Sequence, residues 1–280
     1  MSLASHAAAL VARVSRLWVV PGQRVWLDIS PLEIYIEGLA PAFDGYRIAH
    51  FGDVHFDGWM TTRRRLDDLV SCINAQQPDL IAFTGDLVTH RTAFREPDLI
   101  APLRALDARD GKVAVMGNHD HRAGTESLAR VLDEGGFIDL NNAVHTIRRG
   151  ADCLHVAGVD SLLRQRARLD LVLRQLPDDG TAILLAHEPS FADVSASTER
   201  FALQLSGHTH GGQIRIPLLT HALIAGYTRR PLSGVMSVGG MLLHVNRGIG
   251  TVGVPLRFNC RPELSVITLR SYTAAKTLSD

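Results

Sequence analysis

The amino-acid sequence predicts an α/β protein, because short apolar runs alternate with segments of helical periodicity. These runs have the length of buried strands, and they lie at residues 46–49, 80–83, 113–116, 182–186 and 202–205. Each run is closely followed by a polar turn. With 280 residues, of which 46% are hydrophobic, the chain can bury a large core, and we expect one large domain rather than two.

The other elements follow from the same periodicity. Before the first polar turn, residues 25–28 and 32–37 predict paired strands, with Pro31 at a bend or an edge. Helices are predicted at 61–75, 97–108, 126–134 and 167–175. A second series of strands is predicted at 143–147, 153–159, 235–238, 241–245 and 264–269. Residues 217–233 are expected to form a loop near the polar turns.

Five polar blocks stand in these turns. They are Gly-Asp-Val-His at 52–55, Gly-Asp at 85–86, Gly-Asn-His-Asp at 117–120, His187, and Gly-His-Thr-His at 207–210. If the preceding runs are neighbouring strands, the blocks converge at one edge of the sheet. Their oxygen and nitrogen donors suit Mn, Fe, Zn or Mg acting on a phosphate. Each block alone would be ordinary turn or core chemistry, but the ordered set predicts a hydrolase with two metal ions.

In this order the blocks resemble the pattern of the calcineurin-like metallophosphoesterase superfamily, over residues 46–210. The resemblance implies a four-layer αββα sandwich, in which two mixed β-sheets are flanked by helices. Residues 211–217 and 246–251 resemble a bacterial branch of small membrane-associated phosphodiesterases, which includes hydrolases of UDP-2,3-diacylglucosamine. The Asp-Arg pair that follows the second block in the superfamily's protein Ser/Thr phosphatases is missing here, which favours a small-molecule or lipid-linked substrate.

The resemblance also implies which residues bind the metal ions. These are Asp53, His55 and His210 for one ion, Asn118, His187 and His208 for the other, and Asp86 as the bridge between them. Two divalent ions are expected, with Mn favoured over Fe, Zn or Mg.

The third block contains two residues whose predicted roles are catalytic. His119 is left without a metal ion, so we expect it to protonate the leaving oxygen or to hydrogen-bond a phosphoryl oxygen. Asp120 could orient the imidazole of His119. It could equally cap a helix that starts near Thr125 or stabilise the turn.

Five further residues are candidate substrate contacts. His90, Arg91, His121 and Arg122 directly follow metal-binding turns and should face the same cleft, although a solvated loop is an equal alternative. Arg247 could bind a phosphate bidentately, or it could pair with a surface carboxylate.

Charge and cysteine content narrow the classes of function. The Lys/Arg and Asp/Glu totals are both 29, and no run of basic residues indicates a nucleic-acid-binding arm, so we expect no nucleic-acid partner. Cys72, Cys153 and Cys260 are far apart and odd in number, which argues against a disulfide framework and favours a reducing compartment such as the cytoplasm.

The N-terminal residues 1–24 are predicted to be a segment separate from the catalytic domain at 25–272 and from a tail at 273–280. The segment is too short and too charged to span a bilayer. An amphipathic helix there would place four apolar residues on one face, namely Leu10, Val14, Leu17 and Trp18. Such a helix could lie peripherally on the inner face of the membrane, or it could pack on the domain.

Together these observations predict a binuclear phosphoesterase that cleaves a phosphodiester or pyrophosphate bond with metal-activated water. The favoured substrate is UDP-2,3-diacylglucosamine, an intermediate of lipid A biosynthesis. This choice rests on the branch resemblance and on Phe56, Trp59 and Met60, which could line an acyl groove or simply pack in the core. The alternatives are a soluble phosphodiesterase acting on nucleotides or other small phosphodiesters, a nuclease, and a non-catalytic scaffold.

Overall fold

The computed structural model describes residues 18–19, 26–57, 61–90, 94–216 and 231–272. The strands form two six-stranded sheets and one short two-stranded sheet. The first sheet contains, in spatial order, β2 (Asp28–Ile36), β14 (Glu263–Ser271), β3 (Arg47–Phe51), β4 (Leu80–Phe83), β5 (Lys112–Ala114) and β6 (Phe137–Asp139). The second contains β11 (Gly234–Val238), β12 (Met241–Val245), β10 (Leu203–Ser206), β9 (Thr181–Leu185), β8 (Asp152–Gly158) and β7 (Ala143–Arg149). The short sheet pairs β1 (Trp18–Val19) with β13 (Arg257–Phe258).

Both large sheets are mixed. In the first, strands β3 to β6 are parallel to one another, and β14 is antiparallel to β3. In the second, β12, β10, β9 and β8 are parallel, while β11 and β7 are antiparallel edge strands. Parallel neighbours end at the same edge of a sheet, so the turns that follow β3, β4 and β5 lie together. The turns that follow β9 and β10 lie together in the same way.

Helices cover the outer face of each large sheet. They are α1 (Arg63–Asn74), α2 (Glu96–Arg104), α3 (Asn118–Glu134), α4 (Leu169–Gln175) and α5 (Ala192–Ala196). One buried apolar cluster joins α1, α2 and α3 to the first sheet, where Leu69 and Leu128 belong to the same cluster as Phe83. A second cluster joins the two sheets and includes Ile48 and Ile183, and a third joins α4 and α5 to the second sheet. The predicted four-layer αββα sandwich is therefore confirmed.

Helix α3 begins at Asn118, well before the predicted helix at 126–134. Its first turn is the third polar block itself, with Gly117 as the N-cap and the Asp120 carboxylate accepting a hydrogen bond from the Gly117 N–H at 3.0 Å. The helix is then interrupted at Gly124, whose backbone is non-helical (φ 137°, ψ 97°). The apolar periodicity starts only after this kink, which is why the sequence pattern revealed only the second part of the helix.

Two other expectations near the N-terminus need correction. The strands predicted at 25–28 and 32–37 do not form a pair, because the described residues there form a single strand, β2, which begins only at Asp28, ends at Ile36 and includes Pro31. Proline is tolerated there because β2 is an edge strand. Trp18, expected on the apolar face of a helix, lies instead in strand β1, and the rest of the predicted interfacial helix falls outside the described residues. Within the described ranges, no helix combines the length and the apolar character needed to cross a bilayer.

A single lysine ties two helix ends to the first sheet. The Lys112 ammonium on β5 donates hydrogen bonds to the carbonyls of Leu103 (2.9 Å), Leu106 (3.2 Å) and Gly135 (2.7 Å). These carbonyls lie at the C-terminal ends of α2 and α3, where the last turn of a helix has unpaired acceptors and partial negative charge. Lys112 therefore stabilises the packing of both helix ends at the amino end of β5, whereas the third polar block follows the carboxyl end of that strand.

We predict that Lys112→Met lowers the free energy of unfolding by about 2 to 4 kcal/mol, because three carbonyls lose a charged donor at once. Chemical denaturation followed by circular dichroism measures this change. Arg174→Met is the matched control, since Arg174 forms only an exposed ion pair with Asp170 and its loss should cost less than about 0.5 kcal/mol. Equal losses in the two variants would contradict a special role for Lys112.

Candidate metal centre

The five polar blocks lie at the carboxyl ends of five strands, three from the first sheet and two from the second. The blocks after β3, β4 and β5 are at 52–55, 85–86 and 117–120. His187 follows β9, and the block at 207–210 follows β10. The turns of the two sheets are in direct contact. The N–H of His208, in the turn after β10, donates to the carboxylate of Asp53, in the turn after β3, at 2.9 Å. The blocks therefore converge, but the expectation of one edge of a single sheet is wrong, because the strands that carry them belong to two sheets.

One group of potential metal ligands consists of Asp53, His55 and His210, and all three are buried. The Nε2 atoms of His55 and His210 are 3.0 Å apart, and Nε2 of His210 is 3.5 Å from an oxygen of Asp53. One ligand atom from each of the three residues lies within 4.8 Å of the others. This is the set that the sequence assigns to the first metal ion.

A second group consists of Asp86, His187 and His208. Nε2 of His187 lies 3.2 Å from Oδ2 of Asp86 and 3.3 Å from Nδ1 of His208. The amide oxygen of Asn118 is also 3.2 Å from this nitrogen. The three residues that the sequence assigns to the second metal ion therefore surround one point together with Asp86.

Asp86 lies between the two groups. Its Oδ2 atom is 3.2 Å from Nε2 of His187 in one group and 3.5 Å from Nε2 of His55 in the other. Its Oδ1 atom accepts a hydrogen bond from the backbone N–H of His119 at 2.8 Å, which fixes the carboxylate plane. The same carboxylate oxygen thus faces a histidine of each group, as a bridging ligand must.

The backbone of the ligand turns is strained. Asp53, His55, Asp86, His208 and His210 all have φ between 44° and 69°, and they make up five of the eleven non-glycine residues with positive φ in the described chain. Each such residue costs about 1 kcal/mol or more and persists only where the surrounding structure requires it. Strain of this kind, concentrated in the turns that bring the ligands together, is typical of a functional site.

Two glycines allow the carboxylates to sit against the backbone. A Cβ atom at Gly117 would lie 2.1 Å from Oδ1 of Asp86. A Cβ atom at Gly248, whose φ is 71°, would lie 2.6 Å from the Cβ of Asp53. Any larger residue at these positions would displace a carboxylate, so glycine is required by close approach rather than by flexibility.

Hydrogen bonds from outside the two groups orient the histidine rings. Nδ1 of His187 donates to the carbonyl oxygen of Thr84 at 2.7 Å, which directs Nε2 towards Asp86. Nδ1 of His55 is 3.0 Å from the hydroxyl of Thr89, which directs its Nε2 towards the same carboxylate. Partners of this kind are common around metal-bound histidines, because they fix the ring and the tautomer.

Burial and mutual charge set the protonation states. Burial raises the pKa of Asp53 to about 7, with His187 opposing and Asp86 adding to the rise. Burial also opposes ionisation of Asp86, but His187 and His55 hold its pKa well below the usual range. Burial lowers the pKa of His55 to about 3 and that of His208 to about 4, so both rings are neutral at pH 7 and keep a lone pair. Ionised carboxylate and neutral imidazole are the forms that bind metal ions.

His187 is the exception among these rings. Burial disfavours its charged form, but the Asp86 carboxylate outweighs burial and raises the pKa of His187 well above the usual value. A proton on His187 is therefore favoured by the charge of Asp86. A divalent cation would balance the charge of both carboxylates.

The residues present fit a pair of divalent metal ions. Two buried carboxylates, Asp53 and Asp86, receive no hydrogen bond from a lysine or arginine side chain of the described residues, so their charge lacks a fixed cationic partner. Facing lone-pair atoms such as the two Nε2 atoms of His55 and His210 are what a shared cation would separate and bind. The donors are oxygen and nitrogen without thiolate, which suits Mn, Fe, Zn or Mg.

His119 stands beside the two groups without belonging to either. Its ring packs edge-on against the ring of His55, with centroids 5.0 Å apart. Its Nδ1 atom is buried and has no hydrogen-bond partner in the described part of the chain. An unpartnered buried ring nitrogen next to the metal ligands is unusual in a folded protein and indicates a position for a further ligand or substrate atom.

Asp120 does not orient His119. Its carboxylate accepts hydrogen bonds from the backbone N–H groups of Asp86 (2.7 Å), Leu87 (2.8 Å) and Gly117 (3.0 Å). Burial raises the pKa of Asp120 to about 7, and the nearby Asp86 carboxylate adds to the rise. The alternative role in turn stabilisation is the one that the geometry bears out, because the three donors occupy both carboxylate oxygens. Asp120 thereby holds the second and third polar blocks together.

Arg247 does not present a free guanidinium to a phosphate. Its Nε atom donates to Glu263 at 2.8 Å, and its Nη2 atom donates to Asp28 at 2.6 Å. These contacts lie at the start of β14 and β2, so Arg247 ties the loop after β12 to the first sheet. The alternative that Arg247 pairs with carboxylates is therefore the correct one.

The four other residues predicted to contact the substrate are His90, Arg91, His121 and Arg122. His90 and Arg122 are exposed near the site, and Arg91 lies outside the described residues. Both ring nitrogens of His121 are in use, since Nε2 is 2.5 Å from the Asp160 carboxylate and Nδ1 is 3.0 Å from the Thr125 hydroxyl. His121 thus could contact a substrate only by giving up one of these bonds.

The residues expected to form an acyl groove give no support to a groove. Phe56 is buried in the apolar cluster that joins the first sheet to its helices, so it is a core residue. Trp59 and Met60 lie outside the described residues.

Sequence reasoning missed one residue that holds the site together. Arg257 is fully buried, and it donates hydrogen bonds to the carbonyls of Gly250 (2.7 Å) and His210 (3.3 Å). It thereby joins the loop that packs on Asp53 to the turn that carries a metal ligand. A single arginine with no local motif carries no signal of this contact in the sequence.

Comparisons with known proteins agree with this geometry. Residues 46–212 match the model of the calcineurin-like phosphoesterase family. The uncharacterized metallophosphoesterase YkuE of Bacillus subtilis is 35% identical over 232 residues, which cover 82% of this chain and 80% of that protein. The phosphodiesterase YaeI of Escherichia coli is 28% identical over 250 residues, which cover 87% of this chain and 88% of that protein.

Among solved structures, the sulfate thiohydrolase SoxB of Thermus thermophilus superposes with a TM-score of 0.50 at 14% identity. The match covers 82% of this chain but only 57% of that longer chain. At this level of identity the likeness shows the fold alone.

The position of Asp86 leads to a prediction about metal binding. Asp86→Asn should lose metal and lower turnover by about a thousandfold, because a neutral amide cannot balance two cations. Metal content per chain by plasma mass spectrometry and turnover of a chromogenic phosphodiester measure the two effects. Asp170→Asn, at an exposed carboxylate on α4, is the control and should leave both unchanged. Retention of two metal ions and full activity in Asp86→Asn would show that Asp86 is not the bridge.

Proposed function

We propose that this chain, which belongs to the calcineurin-like phosphoesterase family, is a metal-dependent phosphodiesterase that acts on nucleotides or other small phosphodiesters. The observation that carries the proposal is the pair of ligand groups joined by Oδ2 of Asp86, with the Nδ1 atom of His119 beside them, which has no hydrogen-bond partner among the described residues. The preference for a diester rests on the relative YaeI, whose name is that of a phosphodiesterase.

Divalent ions at such a site would polarise phosphoryl oxygens, lower the pKa of a water nucleophile and offset the charge of the transition state. The protein supplies an anionic bridge in Asp86 and neutral imidazoles that are held in fixed orientations. It also supplies the amide oxygen of Asn118, which adds a ligand without adding charge. No nucleophilic side chain is required, because water can attack the phosphorus directly.

His119 is the residue that we assign to the leaving group. An alkoxide leaving group needs a proton as the phosphorus–oxygen bond breaks, and a positioned imidazole can supply it. The buried Nδ1 atom has no partner among the residues that the structure describes, so it is available to a substrate oxygen. The ring is held against His55 and thus lies at the edge of the ligand groups.

The lipid-linked substrate UDP-2,3-diacylglucosamine has weaker support. It rests on the resemblance of two short stretches to one bacterial branch, whereas Phe56, one of the three residues expected in an acyl groove, belongs to the core. A non-catalytic scaffold is disfavoured because every expected ligand is present and each group is assembled. A nuclease would need an electropositive track, and the chain has equal numbers of basic and acidic residues.

Substrate profiling tests the proposal. Metal-free protein is supplied with Mn and assayed with a phosphodiester, the matching phosphomonoester, UDP-glucose and UDP-2,3-diacylglucosamine. We expect the diester to be hydrolysed with a kcat/KM at least about tenfold above that of the monoester, a difference of about 1.4 kcal/mol in transition-state binding. A preference for the monoester would overturn the diester assignment, and turnover of UDP-2,3-diacylglucosamine far above the other compounds would restore the lipid-linked substrate.

The role of His119 leads to a second prediction. His119→Ala should keep its metal ions, whereas turnover should fall by two to four orders of magnitude, about the contribution of a positioned acid. The loss should be smaller for substrates with acidic leaving groups such as nitrophenol. His145→Ala on β7, at the far edge of the second sheet, is the matched control and should keep full activity. Loss of metal in His119→Ala would instead make His119 a metal ligand.

A further inference from the structure

The loop between β8 and α4 is anchored directly on the metal centre. Glu188, the residue after His187, accepts hydrogen bonds from the Ser161 hydroxyl (2.5 Å) and from the backbone N–H groups of Leu162 (3.0 Å) and Leu163 (3.2 Å). Glu188 is only 2% exposed and Ser161 is fully buried, so these bonds are shielded from water. The loop at 160–164 is thus fixed to the turn that carries a ligand of the second group.

The same loop is fixed to helix α3. The Asp160 carboxylate is 2.5 Å from Nε2 of His121 on α3, and it also accepts a hydrogen bond from Arg166 at 3.1 Å. The loop therefore bridges the turn after β9 and the first turns of α3, and its conformation is set on both sides. Residues carried by such a loop are held in place before a substrate arrives.

Arg164 is the residue that this loop presents to the site. Its Nε atom donates to the carbonyl of Asn118 at 2.9 Å, which places the guanidinium against the first turn of α3. The two Nη atoms make no hydrogen bond or ion pair to any residue in the described part of the chain. Because a guanidinium has five N–H donors, Arg164 keeps four of them for another partner.

Arg122 lies on the same turn of α3, three residues after His119. Its side chain is exposed and has no hydrogen bond or ion pair among the described residues. Helical spacing of three and four residues places Arg122 on the face of Asn118 and His119.

Two acidic groups of the neighbouring loop and turn, Asp160 and Glu188, are already engaged. Asp160 is paired with His121 and Arg166, and Glu188 is occupied by the backbone of the loop. Arg164 and Arg122 therefore bring two charges without a carboxylate partner to the first turn of α3. A fork of N–H donors that lacks a carboxylate is suited to a phosphate oxygen pair.

We propose that Arg164 and Arg122 form a binding site for a second phosphoryl group, next to the one that is attacked at the metal centre. The substrate class is then a phosphoester with two neighbouring phosphoryl groups, such as a diphosphate-linked nucleotide. This inference rests on the proposed phosphodiesterase function, whose scissile phosphate it places beside His119. Arg164 is the main contact, because its guanidinium is held in place at Nε, and Arg122 adds charge from the exposed side.

The test compares inorganic phosphate with inorganic pyrophosphate, which differ by one phosphoryl group. Their affinities for the Mn-loaded protein are measured by isothermal titration calorimetry after excess metal is removed. The native protein should bind pyrophosphate at least about tenfold more tightly than phosphate. Arg164→Gln should lower the affinity for pyrophosphate by about tenfold and Arg122→Gln by about threefold, whereas the affinity for phosphate should change by less than about twofold.

Two further variants serve as comparisons in the pyrophosphate measurement. Arg164→Lys keeps the charge but not the planar fork, so we expect it to restore only part of the pyrophosphate affinity. Arg174→Gln, on the exposed face of α4, should behave like the native protein. Metal content is measured in every variant, since Arg164 also contacts the backbone of Asn118.

The outcomes separate this inference from the proposed function. Equal loss of phosphate and pyrophosphate affinity, or loss of metal in Arg164→Gln, would overturn the inference and leave Arg164 as a support for Asn118. No preference of the native protein for pyrophosphate would also overturn it. If the native protein hydrolyses no phosphodiester but its pyrophosphate preference depends on Arg164, the proposed function fails and the anion site stands.

Discussion

The structure depends on one electrostatic constraint, which is that two buried carboxylates and four histidine rings must meet at one point. Asp53 and Asp86 are almost entirely shielded from water, and no lysine or arginine side chain among the described residues donates to them. Burying a carboxylate without compensation is costly, so the arrangement is stable only if cations balance it. Three of the four surrounding rings, those of His55, His208 and His210, are kept neutral by burial, which lowers their pKa, so they keep lone pairs that a metal ion could bind.

This constraint explains features that would otherwise be separate. The ligand turns have left-handed backbone at five non-glycine positions, and these turns come from two different sheets. The sheets must therefore be joined firmly at this end. The Asp120 carboxylate ties the turn after β4 to the start of α3, and Arg257 ties the turn after β10 to the loop that packs on Asp53. The energy stored in the turns is offset by these buried hydrogen bonds and by the packed sheets behind them.

The sequence alone was sufficient to predict the local features of the site. A short apolar run followed by a polar turn predicted each of the strands that carries a ligand, and the family resemblance of the ordered blocks implied how the ligands divide into two groups. Contacts between distant segments were not predictable, because they leave no periodic pattern. Asp120 and Arg247 each had two possible roles in the sequence, and only the fold brings their partners, the turn at 85–88 and the start of β14, within reach. Arg164 and Arg257 had no local signal at all.

The metal ligands and the residues proposed to select the substrate lie on different parts of the fold. The metal ligands lie on turns after core strands, where the backbone is fixed by both sheets, so their geometry can be shared by enzymes that act on different phosphoesters. The loop at 160–164 lies outside this framework and contacts it through Glu188 and His121. Changes in that loop could alter the charge presented to a substrate without disturbing a metal ligand. We infer that choice of substrate is determined at this loop and on the exposed face of α3, while the capacity for hydrolysis is determined by the strand ends.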